Sequence, residues 1–137
     1  LEQLKKLKNN IKIRNTNFEL LWNYFNNYKN LFKLPEQHND VVTPWLAFPL
    51  VIKKNKYFKR KDLQIYLEKN KIQTRTIFTG NILKQPIMKN KTFKKHKHCN
   101  EVANDVMKNG ILIGCHQGLT TVDISRICNI FKRYIKK

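Results

Sequence analysis

Leu1, Leu4, Leu7, Ile11, Phe18, Leu21, Trp22 and Phe25 recur at steps of three and four residues, the spacing that lays an apolar stripe along one side of a helix. The pattern predicts a long first helix packed against something, ended by Leu34-Pro35 and followed by a polar connection over 36–43. Bulky apolar residues then crowd 45–52 and read as a buried strand, with Trp45 and Phe48 as core residues. Pro44 and Pro49 lack an amide hydrogen, so an edge or a bulge is expected there. After a lysine-rich turn over 53–61, a short helix over 62–69 keeps Leu63, Tyr66 and Leu67 on one face, with Asn70 as a left-handed stop. A β-branched strand over 72–78 leads to a turn at Gly80-Asn81. Beyond a basic and polar loop over 90–98, a helix over 100–108 turns Val102, Val106 and Met107 inward and ends at Gly110. A strand over 111–113 and a turn-rich loop over 114–118 precede the last helix. Thr120 can cap that helix with Asp123 three residues on, and Ile124, Ile127, Cys128, Phe131 and Ile135 form its inner stripe. Helices alternating with short strands predict an α+β fold, a small and largely antiparallel sheet with helices packed mainly on one face.

At 137 residues the chain is one domain's worth, and a chain of that size buries about two-thirds of its unfolded surface without needing disulfides. Lys and Arg number 28 against 9 Asp and Glu, a formal charge of +19. Such an excess suits nucleic acid, an anionic membrane surface or phosphorylated ligands. The lysines are spread over the whole chain, however, and few alternate with aromatic residues as a single-strand groove requires. A basic nucleic-acid-binding module is therefore the alternative, not the first reading. Cys99, Cys115 and Cys128 are an odd count at unrelated spacings, which implies reduced thiols and a cytoplasmic setting. No apolar run reaches the length of a membrane span, so no membrane partner is expected. Leu1 already lies inside an apolar-periodic helix, and the chain is expected to be the tail of a longer polypeptide.

The chemistry-bearing residues are few. His96-Lys97-His98-Cys99 with Cys115-His116 is the one metal-like cluster, but it lacks the paired short spacing of zinc sites, and its lysines oppose a dication. Cys115 and His116 are sequence neighbours, which alternation sends to opposite faces, away from the Cys-His pairing a nucleophile needs. Neither a Gly-x-x-x-x-Gly-Lys phosphate loop nor a Gly-x-Gly-x-x-Gly turn is present. The stretch 72–86 is more informative. It places Arg75, Gly80 and Asn81 around a strand edge and a turn, where the arginine fork matches phosphate or carboxylate. A plain surface strand and hairpin turn would read the same.

Thr74-Arg75, Gly80-Asn81 and Gln85-Pro86, taken together, resemble the C-terminal part of the vitamin B6-dependent sugar enzymes often called the DegT/DnrJ/StrS group. Pro44-Trp45-Leu46-Ala47-Phe48-Pro49 is similar to the Ser-Trp-Phe-Gly-Phe-Pro strand of the nucleotide-sugar 3-dehydratase branch, and 63–75 to its Leu-x-x-x-Leu-Glu helix followed by Ile-x-Thr-Arg. The resemblance implies that residues 1–137 are the small C-terminal domain of a fold-type I enzyme, whose absent large domain binds pyridoxal or pyridoxamine phosphate and forms the homodimer. It implies 3-dehydration of a nucleotide-diphosphate-linked 4-keto-6-deoxy sugar in deoxysugar and lipopolysaccharide biosynthesis, with sugar amination as the alternative. Arg75 would then face a diphosphate or sugar oxygen, Gln73 a sugar hydroxyl where the branch often has Glu, and Asn81 would lie beside the substrate. Leu46-Ala47 replaces Phe-Gly, and Cys115-His116-Gln117 replaces a hydrophobic residue, Tyr and Pro; His116 can still meet a hydroxyl. The family's deciding lysine or histidine is not within the chain, so these residues alone are not expected to catalyse. The physical expectation is that Arg75 and Asn81 form one wall of a pocket.

Overall fold

A computed structural model of the chain describes residues 1–92 and 99–136. His96, Lys97 and His98 of the metal-like cluster, and most of the basic stretch, lie outside the described residues. Helix α1 spans Glu2–Asn26, and only its second half enters the core. Leu21 and Phe25 are fully covered, whereas Leu1, Leu4 and Leu7 remain 97%, 67% and 46% exposed. The helix ends well before Leu34-Pro35, because Asn27 Nδ2 donates to the carbonyls of Asn23 and Tyr24 and satisfies the last turn. The turn that follows leads into a strand that the hydrophobic pattern did not predict, β1 at Phe32–Lys33.

Three further strands, β2 (Ala47–Ile52), β3 (Thr74–Arg75) and β4 (Gly110–Gly114), complete a four-stranded sheet in the order β1-β2-β4-β3. All neighbours are antiparallel, with Phe48 opposite Ile113, Phe32 opposite Ile52 and Arg75 opposite Leu112. β1 pairs with Val51 and Ile52, and on that side Pro49 meets no strand among the described residues, as its missing amide hydrogen favours. Phe48, Leu50, Ile52, Ile111 and Ile113 point to one face and are buried there. Helices α2 (Arg60–Lys69) and α4 (Thr121–Ile135) cover that face together with α1. The Phe25 ring lies 4.8 Å from Phe131 and 5.6 Å from Phe48, and Leu63, Leu67, Ile124, Ile127 and Ile130 close the same cluster. Each such side chain contributes about 1.5–3 kcal/mol on leaving water, so this face carries the stability.

Helix α3 (Cys99–Asn109) lies on the opposite face, held by Lys33 Nζ at 2.9 Å from Asp105 Oδ2. Hydrogen bonds from Lys33 and Asn109 hold the Asp105 carboxyl below the usual carboxylate range. Among the described residues no helix covers the second face of the sheet at its Gly114 end.

Several expectations are corrected by local geometry. The strand over 72–78 is reduced to Thr74–Arg75, because Phe78 takes φ 45 and swings the chain out of the sheet. Asn70 is not left-handed; Lys71, at φ 60, makes that turn. Gly110 opens β4 directly and is absent from the positive-φ residues, so α3 stops because the strand pairs. Val102 is 71% exposed, while Val106 and Met107 are half-buried. On α4 the expected stripe gains Ile130, and the Thr120 cap forms with Asp123 as predicted, Asp123 N–H donating to Thr120 Oγ1 at 3.2 Å.

Candidate functional site

The site begins with a threonine turned inward. Thr74 donates its N–H and its hydroxyl to Glu68 Oε1 of α2, at 2.6 and 2.8 Å, which fixes the strand's rotation. Gln73 and Arg75, on either side of it, face the other way, over the uncovered end of the sheet. There a cavity of about 380 Å³ is lined by Gln73, Arg75, Phe78, Leu112, Gly114 and His116 among others. A second cavity of about 310 Å³ shares Gln73, Gly114 and His116 and adds Lys71, Asp123 and Arg126.

The His116 side of this cleft is held from beneath. Asn17, buried within α1, donates from Nδ2 to the carbonyls of His116 and Leu119, both at 3.1 Å. One turn earlier, Arg14 Nε donates to Gln117 Oε1 at 2.7 Å. Gly118 N–H donates to His116 Nδ1 at 3.1 Å, which leaves the neutral ring its hydrogen on Nε2 as a donor. The ring lies over Gly114: a Cβ there would stand 3.3 Å from Leu119 Cδ1 and 3.7 Å from His116 Nε2. Cys115 points the opposite way, as alternation predicts, fully buried with its thiol donating to the Trp45 carbonyl at 3.5 Å. Burial pushes that thiol up to about 11, so it is no nucleophile at neutral pH.

The other side is unpartnered. Arg75 and Gln73 are exposed, and neither side chain has a hydrogen-bond or ion-pair partner among the described residues. Phe78 is 90% exposed. Of the nearby charges, Arg126 Nη2 donates to the Asn70 carbonyl at 2.6 Å, and Asp123 is engaged in the cap. Hydrogen bonds from the Thr120 hydroxyl and N–H hold the Asp123 carboxyl below its ordinary range. The arrangement suits an anion carrying hydroxyl groups. A groove of about 450 Å³ along Phe18, Trp22 and Pro35 is larger, but Glu19 and Glu36 line it and would repel an anion.

Asn81 does not join the cleft. It is 4% exposed, its Nδ2 donates to Asn104 Oδ1 and its Oδ1 accepts from Leu83 N–H, each at 2.9 Å. That second bond caps a 3₁₀ turn at Ile82–Lys84. Gly80 takes φ 65 against α3, where a Cβ would stand 2.4 Å from Met107 Cβ. Gln85 Nε2 donates to the Thr79 carbonyl at 2.8 Å, and Pro86 opens a second 3₁₀ turn at Pro86–Met88. Gly80, Asn81, Gln85 and Pro86 are thus scaffold, and the expected wall of Arg75 with Asn81 is not formed. Arg75 faces the cleft with Gln73, His116 and Phe78 instead. Asn17, Glu68 and Phe78 were missed by the sequence reading. Asn17 had a signal, since it continues the four-residue step of Leu21 and Phe25 with a polar side chain.

Known proteins place these features in a family. Residues 1–132 match the model of the DegT/DnrJ/EryC1/StrS aminotransferase family. The chain is 28% identical over 136 residues to the lipopolysaccharide biosynthesis protein RfbH of Salmonella typhimurium, covering 98% of this chain and 30% of that protein. It is 33% identical over 118 residues to the GDP-4-keto-6-deoxy-D-mannose 3-dehydratase of Escherichia coli, covering 85% of this chain and 29% of that enzyme. The structure of the E. coli GDP-4-keto-6-deoxy-D-mannose-3-dehydratase with bound hydrated PLP superposes with a TM-score of 0.83 at 29% identity, over 94% of this chain and 32% of that one. The chain spans about a third of the length of these relatives. By the match over nearly its whole length, the chain belongs to the DegT/DnrJ/EryC1/StrS aminotransferase family.

Proposed function

We propose that the chain is the C-terminal small domain of a pyridoxal phosphate-dependent enzyme that removes the 3-hydroxyl of a nucleotide-linked 4-keto-6-deoxy sugar, in the formation of deoxysugars for lipopolysaccharide. The observation that carries this is Arg75, unpaired and beside Gln73 and His116 in a cleft of a chain whose 28–33% identical relatives include a GDP-sugar 3-dehydratase and a lipopolysaccharide protein. Arg75 supplies the planar fork for the diphosphate, and Gln73 and His116 Nε2–H hydrogen-bond sugar hydroxyls. Dehydration is favoured over amination because those relatives are nearer in sequence than the aminotransferase structures, which are 12–17% identical.

The cofactor belongs to a companion large domain in this reading. A Schiff-base lysine needs a desolvated site, and none of the described lysines is buried. These residues do not fit as its anchor. The homodimer and the cytoplasmic setting are part of the same proposal. Among the described residues no helix is long and apolar enough to cross a membrane.

Titration of the chain with GDP-mannose, read by amide chemical shifts, is the direct test. Saturable shifts at 73–75 and 116 are expected, weakened about tenfold in Arg75→Gln by loss of one charged contact, with unfolding unchanged. Absence of binding at millimolar ligand, or equal binding by Arg75→Gln, overturns the proposal.

A further inference from the structure

We propose that Phe78 is the platform on which the base of the nucleotide sugar stacks; this rests on the reading of the cleft given above. Two unfavourable features coincide at this residue. Its ring is 90% exposed, and its backbone sits at φ 45, a region that favours glycine. A bulky side chain held in the left-handed region is strained, and strain of that kind gathers at ligand sites. Among the described residues the ring has no aromatic or cationic partner that would account for its position. Three residues before it, on the wall of the same cavity, stands the unpartnered guanidinium of Arg75.

The order of groups along the cleft identifies the ligand's flat part. His116 and Gln73 stand at the Gly114 end and offer hydrogen bonds. Arg75 follows two residues along the same strand, about 7 Å further on. Phe78 comes last, where the chain leaves the sheet and its ring meets the same cavity. Hydroxyl-binding groups, then a cation, then an aromatic face repeat the sequence of sugar, diphosphate and base in a nucleotide sugar. An aromatic ring stacks on any base, and an arginine beside it holds the phosphates that tether that base.

GDP and inorganic pyrophosphate separate the contributions of base and diphosphate. The chain is expected to bind GDP roughly ten- to a hundredfold more tightly than pyrophosphate, as one stacked base predicts. The guanine H8 resonance should move upfield under the ring. Phe78→Ala should bring GDP affinity down to that of pyrophosphate and abolish the H8 shift, while pyrophosphate binding is untouched; Phe78→Tyr should keep both effects. Phe78→Gly, which suits the backbone at this position, serves as a variant whose fold is secure. Equal affinity of the unaltered chain for GDP and pyrophosphate overturns the stacking inference and leaves the Arg75 cleft standing. So does a Phe78→Ala chain that keeps the H8 shift, or one that leaves both affinities unchanged, as a contact for another polypeptide would. Binding of neither ligand overturns the cleft and the stacking together.

Discussion

The two walls of the cleft are built in opposite ways. On one, His116 is held by a glycine amide on its ring, its carbonyl is gripped by the buried Asn17, and its neighbour Gln117 is tied to Arg14. On the other, the backbone is fixed by Thr74 on Glu68 and by Gly80 against Met107, but Gln73, Arg75 and Phe78 extend into solvent with no partner among the described residues. The first wall has its supporting hydrogen bonds already made, so its shape is set before anything arrives and only His116 Nε2–H is left to donate. The second keeps its donors and its ring unspent. A ligand bound between them loses little to reorganisation on one side and makes most of its new contacts on the other, the division of labour that preorganised sites use.

The sharpest way to break this contrast is at Gly80, where the open wall's backbone is anchored. Gly80→Ala would place a methyl 2.4 Å from Met107 Cβ at φ 65, and is expected to destabilise by roughly 2–4 kcal/mol from overpacking and left-handed strain combined. Urea unfolding checks it, and a change under about 1 kcal/mol would show that α3 moves aside freely. Next, Asn17→Ala removes the two bonds that hold the His116 loop, with an expected loss of about 2 kcal/mol and a broadened His116 ring signal. If the ring stays sharp, the loop is held by something other than Asn17. The smallest effect is electrostatic. Asp123 and Asp105 both have carboxyls held below their ordinary range, so each adds stability that is full above the unfolded value of about 4 and is lost as pH falls through the folded one. Asp123→Asn should flatten the acid limb of the stability curve; an unchanged limb would mean that the cap contributes nothing through its charge.

The sequence was most legible where the deciding contacts are local. The strand Ala47–Ile52 and the helix opening at Thr120 follow from a hydrophobic period and a cap within three residues, and both stand where expected. The short β1 and the early end of β3 depend on pairing with distant strands, which no local pattern reports. Arg75 could be flagged by its guanidinium at a strand edge, whereas Gln73 and His116 were reached only through the family resemblance. Asn81 shows the limit of that method. A small amide after a glycine looks the same whether it meets a ligand or caps a turn, and what decides is Asn104, 23 residues away in sequence. Leu1, Leu4 and Leu7 teach a similar lesson: they continue the helical stripe faithfully, yet nothing among the described residues covers them.

Helix α1 has one more consequence. Its exposed end is a rod whose tip at Glu2 lies about 22 Å from Asn17; residues 2–9 stand in solvent, most of 10–16 are half-buried, and Arg14 and Asn17 grip the His116 loop. Tilting such a rod by about 5° carries its tip roughly 2 Å. The same hydrogen bonds that fix the histidine side of the cleft therefore also fix the direction in which the exposed end of α1 points.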